Sequence, residues 1–158
     1  MSRLTLVGTE PDEIVVHSDV LGALTVRASD MLLFPHGLLG FPECRRFTLI
    51  RGSHDALFWL QSLDYPALVF LLVDPFAVVD GYSIDMPASQ LDELGPSDAS
   101  DIALLAVVTL PAKPGDSPTA NLQGPLAINF GTRRAKQVVL SDAEHGARCP
   151  VDLMRLVA

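Results

Sequence analysis

Residues 58–76, which read FWLQSLDYPALVFLLVDPF, constrain the fold more than any other stretch of the chain. Two apolar runs, at residues 57–63 and 67–73, flank a break that contains Asp64 and Pro66. This pattern is typical of two β-strands joined by a short turn. Because each run is apolar on both faces, we predict that the two strands are central, covered on both sides, and form the middle of the core.

Other segments predict a chain made mainly of short strands. Proline near the start and glycine at the end indicate one short helix at residues 87–95, with its acidic side chains facing solvent. Residues 31–42 hold two prolines and two glycines among large apolar residues, so they predict a tightly turned loop packed against the sheet. A weakly amphipathic segment at residues 151–157 predicts a further short helix. The remaining predicted strands lie at residues 14–17, 21–26, 47–51, 102–110, 125–130 and 137–140.

Long helices do not alternate with these strands, which argues against an α/β fold. The predicted fold class is therefore mainly β: a small antiparallel β-barrel-like single domain with one short helix. A compact sandwich fits the same pattern. We place a loosely ordered lead-in at residues 1–12, the barrel domain at residues 13–150 and a C-terminal tail at residues 151–158.

The charge of the chain narrows the classes of partner. The net charge is −8 and the pI about 4.7, so direct binding to nucleic acid or to an anionic membrane is disfavoured. A basic protein partner suits this charge, as does simple solubility. No signal peptide and no apolar run near the ~20 residues of a spanning helix are present, so we expect a soluble, cytoplasmic protein. Cys44 and Cys149 are expected to be unpaired thiols.

The sequence contains no recognisable catalytic or cofactor motif. The four histidines are not spaced as a zinc site, and neither a nucleophile elbow nor a phosphate-binding glycine loop occurs. We therefore expect a protein that is not an enzyme and that needs no cofactor or metal.

Polar and acidic residues in particular settings are the candidates for binding. Gln61, Ser62 and Asn121 interrupt apolar stretches, and such side chains either tie strands and loops together or line a partner groove. An acidic set is either a solvated face or a docking surface for a basic partner. Its members are Asp92, Glu93, Asp98 and Asp101.

An ordered set of motifs resembles the bacterial flagellar assembly factor FliW family. The set spans nearly the whole chain, from about residue 16 to residue 150. It comprises FPHGLLGF (34–41), FWLQS (58–62), TANLQGPLAIN (119–129), KQVVL (136–140), and Arg148 with Pro150.

The resemblance implies a small barrel-like binding protein without catalytic activity. Family members bind newly made flagellin in the cytoplasm and, when free, bind the translational regulator CsrA and relieve its repression of flagellin mRNA. Asn121, Pro125 and Arg148 fit the family motif as partner contacts. His145 stands where the family usually has tyrosine, and Cys149 where a polar or basic residue is common.

Two other functions are compatible with a small barrel. One is a flavin-type cofactor-binding protein, which the missing phosphate motif disfavours. The other is an interaction module in a different assembly.

Overall fold

The computed structural model describes residues 4–6, 13–84, 86–95, 101–140 and 145–156. Its strands are β1 Leu4–Leu6, β2 Glu13–Ser18, β3 Gly22–Arg27, β4 Leu32–Leu33, β5 Arg46–Arg51, β6 Leu57–Ser62, β7 Val69–Val73, β8 Ile102–Thr109, β9 Thr119–Ala120, β10 Leu126–Asn129, β11 Arg134–Gln137 and β12 Cys149–Pro150. Two single-turn helices are α1 Pro75–Val78 and α2 Ala88–Leu91. The 3-10 helices that lie wholly within the described residues are Ala28–Asp30, Asp92–Leu94 and Leu153–Leu156.

Seven of the described strands close into a barrel in the order β10-β11-β4-β5-β6-β7-β8, with β8 pairing back to β10. All neighbours in this ring are antiparallel except β11 and β4. The β6–β7 hairpin is present between β5 and β8, but residues 57–59 and 69–71 are only partly buried, so these strands are not covered on both sides along their whole length. The end of β8 continues into pairing with β9, and β9 pairs with β12. The barrel-like class is confirmed.

Apolar side chains fill the barrel. Every strand of the ring contributes to this cluster, and the loop between β4 and β5 adds Phe34 and Leu38. Phe34 packs edge-on against Phe47, with ring centroids 5.2 Å apart. The loop at residues 34–45, between β4 and β5, therefore plugs the barrel, as the large apolar residues of the segment 31–42 predict.

A second sheet, in the order β1-β2-β3, packs beside the barrel through Val16, Val26 and Leu63. Strand β1 lies within the predicted lead-in and pairs with β2. The β2–β3 hairpin is the one expected from residues 14–26.

Several elements differ from the sequence predictions, among them the short strands β1, β4, β9 and β12, which were not predicted. The strand expected at residues 137–140 lies at Arg134–Gln137 instead, because Arg133 takes a left-handed backbone conformation with φ of 61° and completes the turn after β10. Helix α1 was not predicted. Asp74 caps it, accepting a hydrogen bond from the amide of Phe76 at 2.9 Å, and Pro75 occupies its first turn.

The short helix expected at residues 87–95 is present as α2 followed by the 3-10 turn, and Gly95 ends it in the left-handed conformation. The segment expected to be helical near the C-terminus is the 3-10 helix Leu153–Leu156. Both cysteines are free thiols, as expected. Within the described ranges, none of the helices has the length and apolar character needed to cross a membrane.

Candidate partner-binding surface

The acidic helix, defined here as residues 88–94, is fixed to the outside of the barrel by its apolar face and by polar contacts. Leu94 is buried in a cluster with Ala127 of β10. The carbonyl oxygen of Leu94 accepts hydrogen bonds from Asn129 Nδ2 at 3.1 Å and from Thr132 Oγ1 at 2.7 Å. The C-terminal end of the acidic helix is therefore held by the turn between β10 and β11.

Glu93 connects the acidic helix to two distant parts of the chain. Its carboxylate lies 2.6 Å from His36 Nε2, in the loop that plugs the barrel, and 3.2 Å from Lys136 Nζ of β11. Hydrogen bonding from His36, followed by that from Lys136, lowers the pKa of Glu93. Lys136 also donates to Gln90 Oε1 at 3.0 Å. Glu93 is thus both exposed and held in position.

The other predicted acidic residues differ from Glu93. Asp92 is exposed, and its carboxylate makes no hydrogen bond or ion pair with the described residues. Asp101 is exposed and lies one residue before β8. Asp98 lies outside the described residues. The structure therefore brings Asp92 and Glu93 together on one short helix.

A tight turn at residues 121–125 carries two of the residues predicted from the family motif. Asn121 Oδ1 accepts a hydrogen bond from the amide of Gly124 at 2.8 Å. A Cβ atom at Gly124 would lie 3.0 Å from Asn121 Nδ2 and 3.1 Å from Gln137 Nε2, so the turn is closely packed. Pro125 is buried, and a partner would sense it only through the shape of this turn.

Arg148 lies beside this turn and is exposed. The antiparallel register that pairs Cys149 with Ala120 places Arg148 next to Asn121. The side chain of Arg148 makes no ion pair among the described residues. Asn121 and Arg148 therefore share one edge, which we call the 121/148 edge.

His145 is accommodated by stacking. Its ring lies 5.9 Å from the ring of Tyr82 at an interplanar angle of 29°. Tyr82 donates a hydrogen bond to the carbonyl of Leu122 at 3.4 Å, and burial raises its pKa. The amide of Leu122 donates to the carbonyl of Gly146 at 3.1 Å. These contacts hold the chain before Arg148 against the 121–125 turn.

Gln137 joins the 121–125 turn to the loop that plugs the barrel, and sequence reasoning gave it no role. Its Oε1 accepts a hydrogen bond from the amide of Leu39 at 2.9 Å, and its Nε2 donates to the carbonyl of Gly124 at 3.0 Å. The Leu39 side chain is 64% exposed, so an apolar group stands in solvent on a fixed backbone. The signal in the sequence for this role of Gln137 was a polar side chain at the end of a strand, inside the KQVVL motif.

Lys136 and Asn129 were also not singled out. Lys136 opens the KQVVL motif, and Asn129 ends an apolar run. Asn129 is only 2% exposed, and its amide bridges the acidic helix and the turn after β10. A polar residue closing a buried strand is the sequence signal for such a bridge.

Gln61 and Ser62 make hydrogen bonds within the β6–β7 hairpin, as expected if these side chains tie strands and loops together. Both are fully buried. Gln61 Nε2 donates to the carbonyl of Ser62 at 2.8 Å, and Ser62 Oγ accepts hydrogen bonds from the amides of Asp64 and Tyr65, each at 3.0 Å. They stabilise the turn between β6 and β7 and are not available to a partner.

Comparison with known proteins agrees with the resemblance seen in the sequence. A family model described as FliW protein matches residues 15–151. A flagellar assembly factor FliW from Natranaerobius thermophilus is 31% identical over 137 residues, covering 86% of this chain and 91% of its own length. One from Moorella thermoacetica is 38% identical over 128 residues, covering 80% and 81%. A crystal structure of the flagellar assembly factor FliW superposes with a TM-score of 0.79 at 32% identity, covering 86% of this chain and 95% of that chain. The chain therefore belongs to the FliW family of flagellar assembly factors.

Proposed function

We propose that this chain is a non-catalytic binding protein of the cytoplasm that holds newly made flagellin before export and, when free of flagellin, binds CsrA and relieves its repression of flagellin translation. The observation that carries the proposal is the family match across residues 15–151. Partner exchange then links secretion of flagellin to its synthesis.

The charge of the protein supports CsrA as a partner. A protein that binds RNA presents positive charge to phosphates, and a net charge of −8 complements such a surface. Asp92 offers an exposed carboxylate on the acidic helix, whose backbone is anchored by Asn129 and Thr132. Because the helix is held before binding, little conformational entropy is lost on contact.

The 121/148 edge supplies a second contact of different chemistry. Arg148 is an exposed cation with five donors, beside an amide already fixed in the 121–125 turn. It suits a carboxylate or carbonyl of a partner. The acidic helix and the 121/148 edge together give the protein two separately testable surfaces.

The test is complex formation with purified cognate flagellin and with CsrA, measured by size-exclusion chromatography at micromolar concentration and modest salt. The wild-type protein is expected to form a stoichiometric complex with each. Flagellin is expected to displace CsrA when both are present. If the wild-type protein binds neither flagellin nor CsrA, the proposed function is rejected.

Charge reversals then separate the two surfaces. Asp92→Lys is expected to weaken binding to CsrA, and Arg148→Glu to weaken binding to at least one partner. Asp116→Lys is the matched control, because Asp116 is also an exposed carboxylate but lies in the loop before β9. If Asp92→Lys and Asp116→Lys bind CsrA equally well, the acidic helix is not the CsrA surface.

A further inference from the structure

A groove of about 840 Å³ lies between the β2–β3 hairpin and the barrel. One wall is formed by residues 24–27 of β3 and the other by residues 48–51 of β5, with Phe130 and Arg133 at one end. Successive residues of a strand point to opposite faces. Because every residue of these two short segments borders the groove, the groove runs along strand edges and not over one face of a sheet.

Both strand edges have unused pairing capacity within the described residues. Strand β3 is the last strand of its sheet and pairs only with β2. Strand β5 pairs with β6 along its length, but on its other side β4 reaches only Arg46 and Phe47. Residues 48–51 therefore have no strand partner on the groove side. An edge of this kind presents free N–H and C=O groups to an incoming strand.

The charge of the groove is opposite to that of the protein as a whole. Arg27, Arg51 and Arg133 border it, whereas Asp30 is the one acidic residue among the described residues that border it. Arg27 and Arg51 make no ion pair among the described residues. Cationic side chains with free donors, in a protein of net charge −8, favour an anionic occupant.

Arg133 is held in the groove at a conformational cost. It is the one non-glycine residue with a positive φ in the described chain, at 61°. Its guanidinium lies over the ring of Phe130 at 5.6 Å and donates to the backbone carbonyl of Asp30, and its Nε is buried without a partner. Strained backbone that the surrounding contacts maintain is characteristic of ligand sites.

We propose that this groove binds an extended peptide segment of a partner protein, in which apolar side chains alternate with acidic ones. The segment adds as a strand to the free edge of β3 or β5. Its apolar side chains contact Phe130 and Ile50, and its carboxylates pair with Arg27 and Arg51. The proposal goes beyond the proposed function, since its residues differ from those of the acidic helix and the 121/148 edge and its chemistry does not require flagellin or CsrA.

The first test uses a fluorescein-labelled peptide of alternating valine and glutamate, with fluorescence anisotropy as the readout. The double variant Arg27→Glu/Arg51→Glu is expected to weaken binding at least about tenfold, because two charge-assisted hydrogen-bonding partners are reversed. Lys113→Glu, an exposed cation in the loop before β9, is the matched control and is expected to bind as the wild type does. Equal binding of the double variant and the control would overturn the proposal.

A second test examines strand addition in the unaltered protein. Amide hydrogen exchange at residues 22–27 or 48–51 is expected to slow when the peptide is bound, while exchange in β8 stays unchanged. Slowing at neither edge would overturn strand addition. Equal affinity for a valine–lysine peptide, or binding of single-stranded RNA in place of the acidic peptide, would overturn the stated chemistry of the occupant.

Discussion

Asn129 is predicted to be the polar residue on which the position of the acidic helix depends. Its Nδ2 donates to the Leu94 carbonyl at 3.1 Å, and its Oδ1 accepts hydrogen bonds from the amides of Gly131 and Thr132 at 2.8 and 3.2 Å. The side chain is buried, so water does not replace these partners well in a truncated variant. Asn129 therefore satisfies polar groups on two elements at once.

Asn129→Ala removes all three hydrogen bonds. At about 1 kcal/mol for each, the free energy of unfolding should fall by roughly 2–3 kcal/mol. For a domain of this size the midpoint of thermal unfolding should fall by about 4–12 °C. Thermal unfolding followed by circular dichroism measures this change. Thr132→Val is the control, because it removes one other donor to Leu94 and should cost only about 1 kcal/mol.

Asn129→Asp tests whether Asn129 acts as a hydrogen-bond donor to Leu94. The aspartate keeps the acceptor for Gly131 and Thr132 but places an ionised oxygen against the Leu94 carbonyl, so at pH 7 it should be less stable than Asn129→Ala. The buried carboxyl would have a raised pKa in the folded state. The stability that this variant loses relative to wild type should therefore shrink as the pH falls, because the protonated carboxyl can again donate to the Leu94 carbonyl. Equal stability of the two variants at every pH, or a loss below about 0.5 kcal/mol for Asn129→Ala, would refute the bridging role of Asn129.

Two further predictions concern the loop that plugs the barrel and the hydrogen-bonded pair of His36 and Glu93, which joins this loop to the acidic helix. Gly37 and Gly40 both have positive φ, at 66° and 86°, but an added Cβ would lie 2.5 Å from the Phe41 carbonyl oxygen at Gly37 and has nothing within 4 Å at Gly40. In urea unfolding, Gly40→Ala should lower the free energy of unfolding by about 1–2 kcal/mol because of its backbone conformation. Gly37→Ala should lower it by about 1–3 kcal/mol more because of the clash. Equal losses for the two variants would contradict this packing. The lowered pKa of Glu93, caused chiefly by hydrogen bonding from His36, means that its contribution to stability is present above the ordinary glutamate pKa and is lost as the pH falls through the lowered value. The difference in stability between wild type and Glu93→Gln should therefore be larger at pH 6 than at pH 3, and a constant difference would exclude this linkage.

The local elements could be predicted from sequence because their signals are local. The β6–β7 hairpin follows from two apolar runs around Asp64 and Pro66, and the acidic helix follows from Pro87 and Gly95 at its ends. In both cases residues close in sequence decide the backbone conformation, through strand periodicity or through restricted dihedral angles. The motif resemblance added the family, which the comparisons confirm.

The position of β11 could not be predicted from local sequence signals. The apolar run at residues 137–140 predicts a strand there, but the barrel pairs Arg134–Gln137 with β10. Val138 and Leu140 pack beneath the acidic helix, in the cluster around Leu94, while their amides donate to the carbonyls of Pro125 and Gln123 at 2.9 and 2.8 Å. An apolar run indicates burial, and only the closed barrel decides where the regular ladder begins and ends.

The sequence by itself determined that this chain is a mainly β domain of the FliW family, with an acidic surface and a central hairpin. Tertiary structure alone decided that His36 meets Glu93, that Gln137 links Leu39 to Gly124, and that two strand edges face each other across an arginine-lined groove. The physical reason is that polar contacts and strand edges depend on how distant segments pair when β8 and β10 close the barrel. Apolar periodicity and turn residues carry no information about that closure, and so they predict elements but not the surfaces on which a partner binds.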